Sequence, residues 1–184
     1  ELPASTPPIL PIVLLLAVWG SIAFHYHTSP IYRKSIFRYF SAHKFFITDI
    51  FQRHIRSPLP AVLIIIQNAL LTAAANFVAF LTGISMLGTE ALFYHFPILT
   101  IWDNSPHTIF IWLVLFILAI SLVSVLWLYF SHKTINSLTQ IATIYAWPLQ
   151  LNILLSTITI TLFASEADSG WIFTFAILTI VVSI

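Results

Sequence analysis

Five long apolar stretches constrain the fold of this chain more than any other feature of its sequence. They run over Pro8–Tyr26, Pro58–Gly83, His107–Ser131 and Leu138–Ala164, with a fifth from Gly170 onward. A helix needs about 20 apolar residues to cross the hydrocarbon core of a bilayer. Because a backbone in hydrocarbon must satisfy its own hydrogen bonds, we expect each stretch to form a transmembrane helix.

The composition agrees with a lipid environment. Hydrophobic residues make up 59% of the 184 positions and charged residues 7%, and the mean hydropathy is +0.98. Soluble domains are about 25% charged, so this chain has too few charged side chains to cover a water-exposed surface. Soluble enzymes, nucleic-acid-binding domains and disordered linkers are therefore excluded. The sequence predicts an all-α, polytopic transmembrane helix bundle, and the alternating polarity of a β-barrel is absent.

The two ends of the sequence raise separate questions. A cleaved signal peptide is the alternative for the first stretch, because its core, Ile12–Ala23, is short. The stretch lacks a basic leader and a small-residue cleavage site, which favours a retained helix. The chain begins at Glu1, and its last stretch reaches Ile184 while still apolar. We therefore expect a piece of a longer protein.

The charged residues predict the orientation of the helices. Apart from Lys133, which precedes the fourth stretch, every basic residue lies between the first two stretches. These residues are Arg33, Lys34, Arg38, Lys44, Arg53 and Arg56. By the positive-inside rule, residues 27–57 and 132–137 are cytoplasmic and the N-terminus is outside. The chain thus divides into residues 1–26 (outer N-terminus and first helix), 27–57 and 58–184 (helices two to five), and we expect a bacterial inner-membrane protein.

The basic segment, residues 27–57, has an amphipathic pattern. Its apolar and aromatic residues recur at nearly helical spacing, at Tyr32, Ile36, Tyr39, Phe40, Phe46, Ile47, Ile50, Phe51 and Ile55. Basic residues between rings are typical of helices that lie in the membrane interface and contact anionic headgroups. The alternative is an ordinary connector whose cations only follow the orientation rule. The charge is too low for a nucleic-acid partner.

The second stretch carries a polar stripe. Asn68, Thr72 and Asn76 are spaced by four and share one helix face, and Ala69 and Ala73 have the same spacing. Small residues let helices approach closely, and amides hydrogen-bond across the contact. We interpret the stripe as a helix-packing or partner contact. A polar path for an ion or solute is the alternative, although no ionisable residue joins the stripe.

The fourth stretch combines Pro148 with the polar residues Gln150 and Asn152. Proline removes an amide donor and clashes with the preceding turn, so we expect a kink near Ile144. The kinked helix and the polar stripe either line a small cavity or simply pack together. Because no ionisable residue lies at the centre of a stretch, a pump is disfavoured. No catalytic or metalloprotease motif occurs, so the chain is not predicted to be an enzyme.

Histidines at the ends of the stretches offer a different interpretation. A haem held by two histidines needs them on facing helices at matching depth, and pairs such as His25 with His132 are the candidates at the inner boundary. His107 lies at the outer boundary. Haem or chlorophyll is therefore the alternative to a chain without a cofactor. Histidines at helix ends are more often interfacial polar groups, and no metal site is predicted.

Two segments carry a resemblance to a known family. The prelude from Tyr32-Arg33-Lys34 to Arg53-His54-Ile55-Arg56 and the later run Tyr145-Ala146-Trp147-Pro148-Leu149 resemble the Yip1-type membrane domain over about residues 27–184. The resemblance implies a non-enzymatic multi-span protein that acts through membrane partners. An additional span before this domain departs from the family pattern.

Three functions follow from these patterns. The first is a structural or accessory subunit that packs against lipid and other membrane proteins. The second is a haem- or chlorophyll-carrying subunit of an electron-transfer or photosynthetic complex. The third is a small-solute channel or transporter through the polar faces of the second and fourth helices.

Overall fold

The computed structural model of the chain describes residues 9–30, 32–33, 48, 57–87, 94–100, 106–131 and 137–183. The helices are α1 (Leu10–Thr28), α2 (Leu59–Leu87), α3 (Pro106–Ser131), α4 (Leu138–Ala146), α5 (Leu149–Ala164) and α6 (Ser169–Ser183), with a 3-10 turn at Pro97–Thr100. These residues contain no strand, so the predicted all-α helix bundle is confirmed for this part of the chain.

Within the described residues, four apolar segments have the length and composition needed to cross a bilayer. They are Leu10–Thr28, Leu59–Gly83, His107–Ser131 and Leu138–Ala164, the last being α4 and α5 together. Their bounds lie within a few residues of the predicted stretches, because long apolar runs specify helices locally. Helix α6 has 15 residues and is apolar but shorter than these four.

Helix α2 forms the centre of the bundle. It contacts α1, α3, α4, α5 and α6. Among the 18 most apolar consecutive residues of α2, 67% are buried, compared with 28% in α3 and 11% in α1. Its sequence explains this position, since Ala69, Ala73, Ala74 and Ala75 are fully buried and their small side chains let several helices approach.

Successive apolar segments alternate in direction, and α4 and α5 run in the same direction within the fourth segment. The Tyr145 hydroxyl of α4 lies 3.3 Å from the Ser121 Oγ of α3, and Ile141 packs with Val125. Residue numbers fall along one helix as they rise along the other, which is the relation of an antiparallel pair. The end of α1, the start of α2, the end of α3 and the start of α4 therefore lie at the same end of the bundle.

The fourth apolar stretch consists of two helices. Pro148 has no N–H to bond to the carbonyl of Ile144. The Gln150 and Leu151 N–H groups bond three residues back, to the carbonyls of Trp147 and Pro148, at 3.2 and 3.1 Å. The kink predicted near Ile144 is thus an interruption at Trp147–Pro148, because the hydrogen-bond pattern changes at the proline itself.

A tight turn joins α5 to α6. The Ala167 N–H bonds to the Leu162 carbonyl at 3.0 Å, and the Glu166 N–H bonds to the Phe163 carbonyl at 3.1 Å. This pair of bonds is a Schellman motif, which needs a left-handed residue after the helix. Glu166 takes that conformation, with φ of 54°. A side chain at this position costs free energy that glycine avoids.

We predict that Glu166→Gly raises the free energy of unfolding by about 1 kcal/mol, because glycine adopts positive φ without a Cβ clash. Denaturant titration in mixed micelles, followed by circular dichroism, measures the change. Ser165→Gly is the matched control, since Ser165 has φ of −91° and gains nothing from glycine. A loss of stability in Glu166→Gly would contradict the interpretation of this turn.

Candidate functional site: a buried polar cluster and an apolar cleft

A cluster of four polar side chains lies between α2 and α5. This polar cluster consists of Asn68, Thr72, Asn152 and Ser156, none of which is more than 1% exposed. The Asn152 Nδ2 donates to the Asn68 Oδ1 at 3.0 Å and to the Thr72 Oγ1 at 2.9 Å. The Thr72 hydroxyl donates to the Asn68 Oδ1 at 3.3 Å and lies 3.4 Å from the Ser156 Oγ.

The spacing within each helix creates the polar cluster. Its members are four residues apart in both α2 and α5, so each pair lies on one helix face. The two helices run in the same direction, since Asn68 meets Asn152 and Thr72 meets Ser156. Burying an amide without a partner costs about 1–3 kcal/mol. The hydrogen bonds therefore favour one rotation and one height of α5 against α2.

Two further polar residues of α2 connect it to other helices. The Gln67 Nε2 donates to the Ser21 Oγ of α1 at 3.0 Å. The Asn76 Nδ2 donates to the Thr179 Oγ1 of α6 at 3.2 Å and to the Thr72 carbonyl at 2.8 Å. Polar side chains of the central helix thus form hydrogen bonds to α1, α5 and α6.

The polar stripe predicted on the second stretch lies inside the chain's own bundle. Asn68 and Thr72 are buried against α5 and offer no surface to another protein. Ala69 and Ala73 are fully buried in a cluster with Ile117 of α3. Asn68 and Thr72 therefore form a packing face within the chain, whereas Asn76 is half-buried.

Only one of the three residues singled out on the fourth stretch joins the polar cluster. Asn152 supplies its main donor, whereas Pro148 is exposed at the interruption between α4 and α5. Gln150 is half-buried, and its Nε2 has no hydrogen-bond partner within the described residues. The side chains of Gln150 and Asn152 differ because residues two apart on a helix point in different directions.

Sequence reasoning missed three members of this hydrogen-bonded set. Ser156 was detectable, since it follows Asn152 by four residues. Ser21 and Thr179 carried no such signal, because each is an isolated hydroxyl in an apolar run. Their role depends on which helices become neighbours.

An apolar cleft of about 290 Å³ adjoins the polar cluster. It is bounded by α2, α3 and α6, and its lining residues are Thr72, Asn76, Leu113, Phe116, Ile117, Ile120, Ser121 and Ile180. For the second and fourth stretches, the sequence left two alternatives open, a small cavity or direct packing. The cleft lies elsewhere, because the polar cluster closes the contact between α2 and α5.

The polar groups at the cleft wall have partners within the protein. The Thr72 hydroxyl and the Asn76 Nδ2 form the bonds described above, and the Ser121 Oγ lies 3.3 Å from the Tyr145 hydroxyl. Thr72 and Ser121 are buried at 1% and 2% exposure, whereas Phe116 is 62% exposed at the mouth. The cleft therefore opens at the apolar surface and ends at side chains whose hydrogen bonds are directed into the protein.

The start of the basic segment attaches to the bundle. Tyr32, expected among the rings in the membrane interface, is instead 3% exposed. Its ring packs on Trp147 at a centroid distance of 6.2 Å and lies 6.3 Å from His25. This expectation for Tyr32 was wrong, because the ring packs against Trp147 where α4 and α5 meet. Burial raises the pKa of the Tyr32 hydroxyl above its usual value of 10.0.

Of the basic residues in this segment, the structure describes Arg33. Arg33 is exposed, and its N–H bonds to the Ser29 carbonyl at 3.1 Å. The predicted lipid-interface residues Lys34, Arg38, Lys44, Arg53 and Arg56 lie outside the described residues.

Of the three histidines considered as haem or pigment ligands, the structure describes His25 and His107, which lie at opposite ends of the bundle. The His25 Nδ1 lies 2.7 Å from the Ser21 carbonyl, to which it donates. His107 lies at the opposite end of the bundle, with its ring 6.1 Å from that of Phe77. His132 lies outside the described residues. Across the described ranges, no group of three or more metal-ligating side chains occurs.

Comparisons with protein-family models, curated proteins and solved structures found no match to this chain. The resemblance to the Yip1-type membrane domain therefore stays a prediction from the sequence.

Proposed function

We propose that this chain is a non-enzymatic integral membrane protein that serves as a structural or accessory subunit. The observation that supports this proposal most is the apolar surface of α3. Its large exposed side chains are Ile111, Leu115, Phe116, Leu122, Val123, Leu126, Trp127 and Phe130. Soluble monomers rarely expose apolar patches of more than a few hundred Å². Lipid or other membrane helices are the surroundings that suit such a surface.

We propose five crossings of a bacterial inner membrane, with the N-terminus outside and residues 27–57 and 132–137 in the cytoplasm. The alternating helix directions support this orientation. They bring the flanks of both basic connections to one end of the bundle, while Glu166 and Asp168 lie at the other end. Lysine and arginine near helix ends favour the cytoplasmic side. The exposed Arg33 is suited to contact anionic lipid headgroups there.

In this proposal, α1 is the helix that contacts another membrane subunit. Only 11% of the residues in its apolar 18-residue segment are buried, although α1 contacts α2 and α5. Val13, Leu16 and Phe24 are 53%, 68% and 63% exposed. Because the polar stripe of α2 is used inside the bundle, this face of α1 is the surface that we propose for another membrane subunit.

The proposed orientation predicts opposite accessibility for two single cysteines. The chain has no cysteine of its own, so introduced thiols report without background. We expect Ser165→Cys to react with a membrane-impermeant maleimide in intact cells. Thr28→Cys should react only after permeabilisation, since it lies at the other end of the bundle.

Carbonate extraction provides the control for this labelling experiment, because an inserted protein stays in the membrane fraction. Labelling of both cysteines from the same face would contradict the orientation. Release of the chain by carbonate would contradict membrane insertion itself.

The accessory role is tested by photocrosslinking from α1. A photoreactive residue replaces Leu16 in one variant and Val123 of α3 in a control variant. We expect Leu16 to yield a saturable crosslink to one membrane protein and Val123 to yield lipid adducts. Lipid adducts alone from both positions would contradict a partner on α1.

A further inference from the structure

We propose that the cleft between α2, α3 and α6 is a binding site for a single acyl chain of a membrane lipid. This inference rests on the proposed insertion of the chain into a bilayer. It adds a specific site and a ligand class to the general contact with lipid that the exposed surface of α3 implies.

The chemistry of the wall favours a hydrocarbon occupant. Leu113, Ile117, Ile120 and Ile180 supply apolar surface. The hydroxyl and amide groups of the wall already bond within the protein, so a polar ligand would find few free groups there. A solute that needs hydrogen bonds would lose those it makes in water.

The volume of the cleft is sufficient for a hydrocarbon occupant. The cleft holds about 290 Å³, which is larger than an apolar protein cavity of about 150 Å³ that binds benzene. A narrow, flexible hydrocarbon chain fits this volume.

The height of the cleft identifies which part of a lipid reaches it. Its α3 wall runs from Leu113 to Ser121, about 12 Å along the axis and close to the middle of Pro106–Ser131. The middle of a bilayer core is about 15 Å from either headgroup plane. The end of a long acyl chain reaches this depth, and Phe116 flanks its entrance from the lipid-facing surface.

The experiment uses the full chain in vesicles of dioleoyl phosphatidylglycerol with a trace of a phospholipid that carries a diazirine at its acyl terminus. After irradiation, mass spectrometry maps the adducts. We expect adducts concentrated within 113–121 and 72–76, competed by excess dioleoyl lipid and not by dioctanoyl lipid. Ile120→Trp fills the cleft and should lower these adducts by about tenfold or more, because a filled cleft leaves no room for the chain.

Leu122→Trp is the matched control, since Leu122 is 61% exposed on the same helix and does not line the cleft. It should leave the adducts unchanged. Leu113→Trp gives a second cleft-filling variant if Ile120→Trp does not fold, as judged by size exclusion and circular dichroism.

Three results would overturn the proposal. They are adducts spread evenly along the exposed faces of α1 and α3, adducts unchanged by the cleft-filling variants, and crosslinks to a second copy of the chain through this face. Absence of the chain from the vesicles would instead refute the proposed membrane insertion. The two failures are therefore distinguishable.

Discussion

Replacing Trp147 with alanine is expected to lower the free energy of unfolding by about 3 kcal/mol, the largest effect that we predict for a single substitution. Trp147 is 1% exposed and is the largest fully buried side chain among the described residues. It packs in one cluster with Tyr32, Val18, Ala61 and Leu149. Its removal leaves a cavity where α1, α2 and the α4–α5 interruption meet.

The expected loss of unfolding free energy for Trp147→Ala depends on what surrounds the helices after they separate. Loss of a buried tryptophan from a soluble core costs about 3–5 kcal/mol, which includes transfer of apolar surface to water. In the membrane that we propose, lipid replaces water around separated helices, so mainly the packing contribution is lost. The lower end of the range is therefore expected.

Titration of the protein in mixed micelles with a denaturing detergent measures this loss by circular dichroism. Trp127→Ala is the matched control, because Trp127 is 73% exposed and its removal should change stability by less than about 0.5 kcal/mol. Equal, small effects of both substitutions would contradict the position of Trp147 in the core.

The second large effect is expected for Asn152→Ala, which should lower the free energy of unfolding by about 1–2 kcal/mol. The Asn152 Nδ2 makes two hydrogen bonds, to Asn68 and to Thr72. Alanine removes the donor and leaves the buried Asn68 Oδ1 with the Thr72 hydroxyl alone. Interhelical hydrogen bonds in membranes contribute about 0.6 kcal/mol on average and up to about 1.7.

A double-mutant cycle isolates the contact between the helices. Asn68→Ala and Asn152→Ala together should show a coupling of about 0.6–1.7 kcal/mol in the same micelle titration. Gln150→Ala is the matched control on α5, because the Gln150 Nε2 makes no hydrogen bond within the described residues. Additive effects of Asn68→Ala and Asn152→Ala would mean that the polar cluster does not join α2 to α5.

Much of the helix content was predictable because it is specified locally. Long apolar runs bounded by polar residues and prolines determined where α1, α2 and α3 begin and end, within a few residues. The four-residue spacing of Asn68 and Thr72 correctly predicted a common helix face. The break was predicted near Ile144, three to four residues before its position at Trp147–Pro148. The prediction used the carbonyl that loses its partner, whereas the break lies at Pro148, which lacks the N–H donor one turn later.

The partners of each helix face were not predictable in the same way. The amphipathic pattern predicted that the Tyr32 ring faces lipid. The ring instead lies against Trp147, because the end of α1 is close to the α4–α5 interruption. The cleft also has no counterpart in the sequence. It arises where the curved surfaces of three helices fail to fill the space beside Thr72.

The sequence alone therefore determined the all-α class and the approximate helix bounds. These properties depend on hydrogen bonds within a helix and on the hydropathy of short segments, which neighbouring residues specify. Assembly of the helices decided that α2 is central, that Asn152 and not Gln150 meets Asn68, and that a cleft lies between α2, α3 and α6. Such contacts join residues far apart in the chain, and they depend on helix rotation and height, which no local pattern encodes.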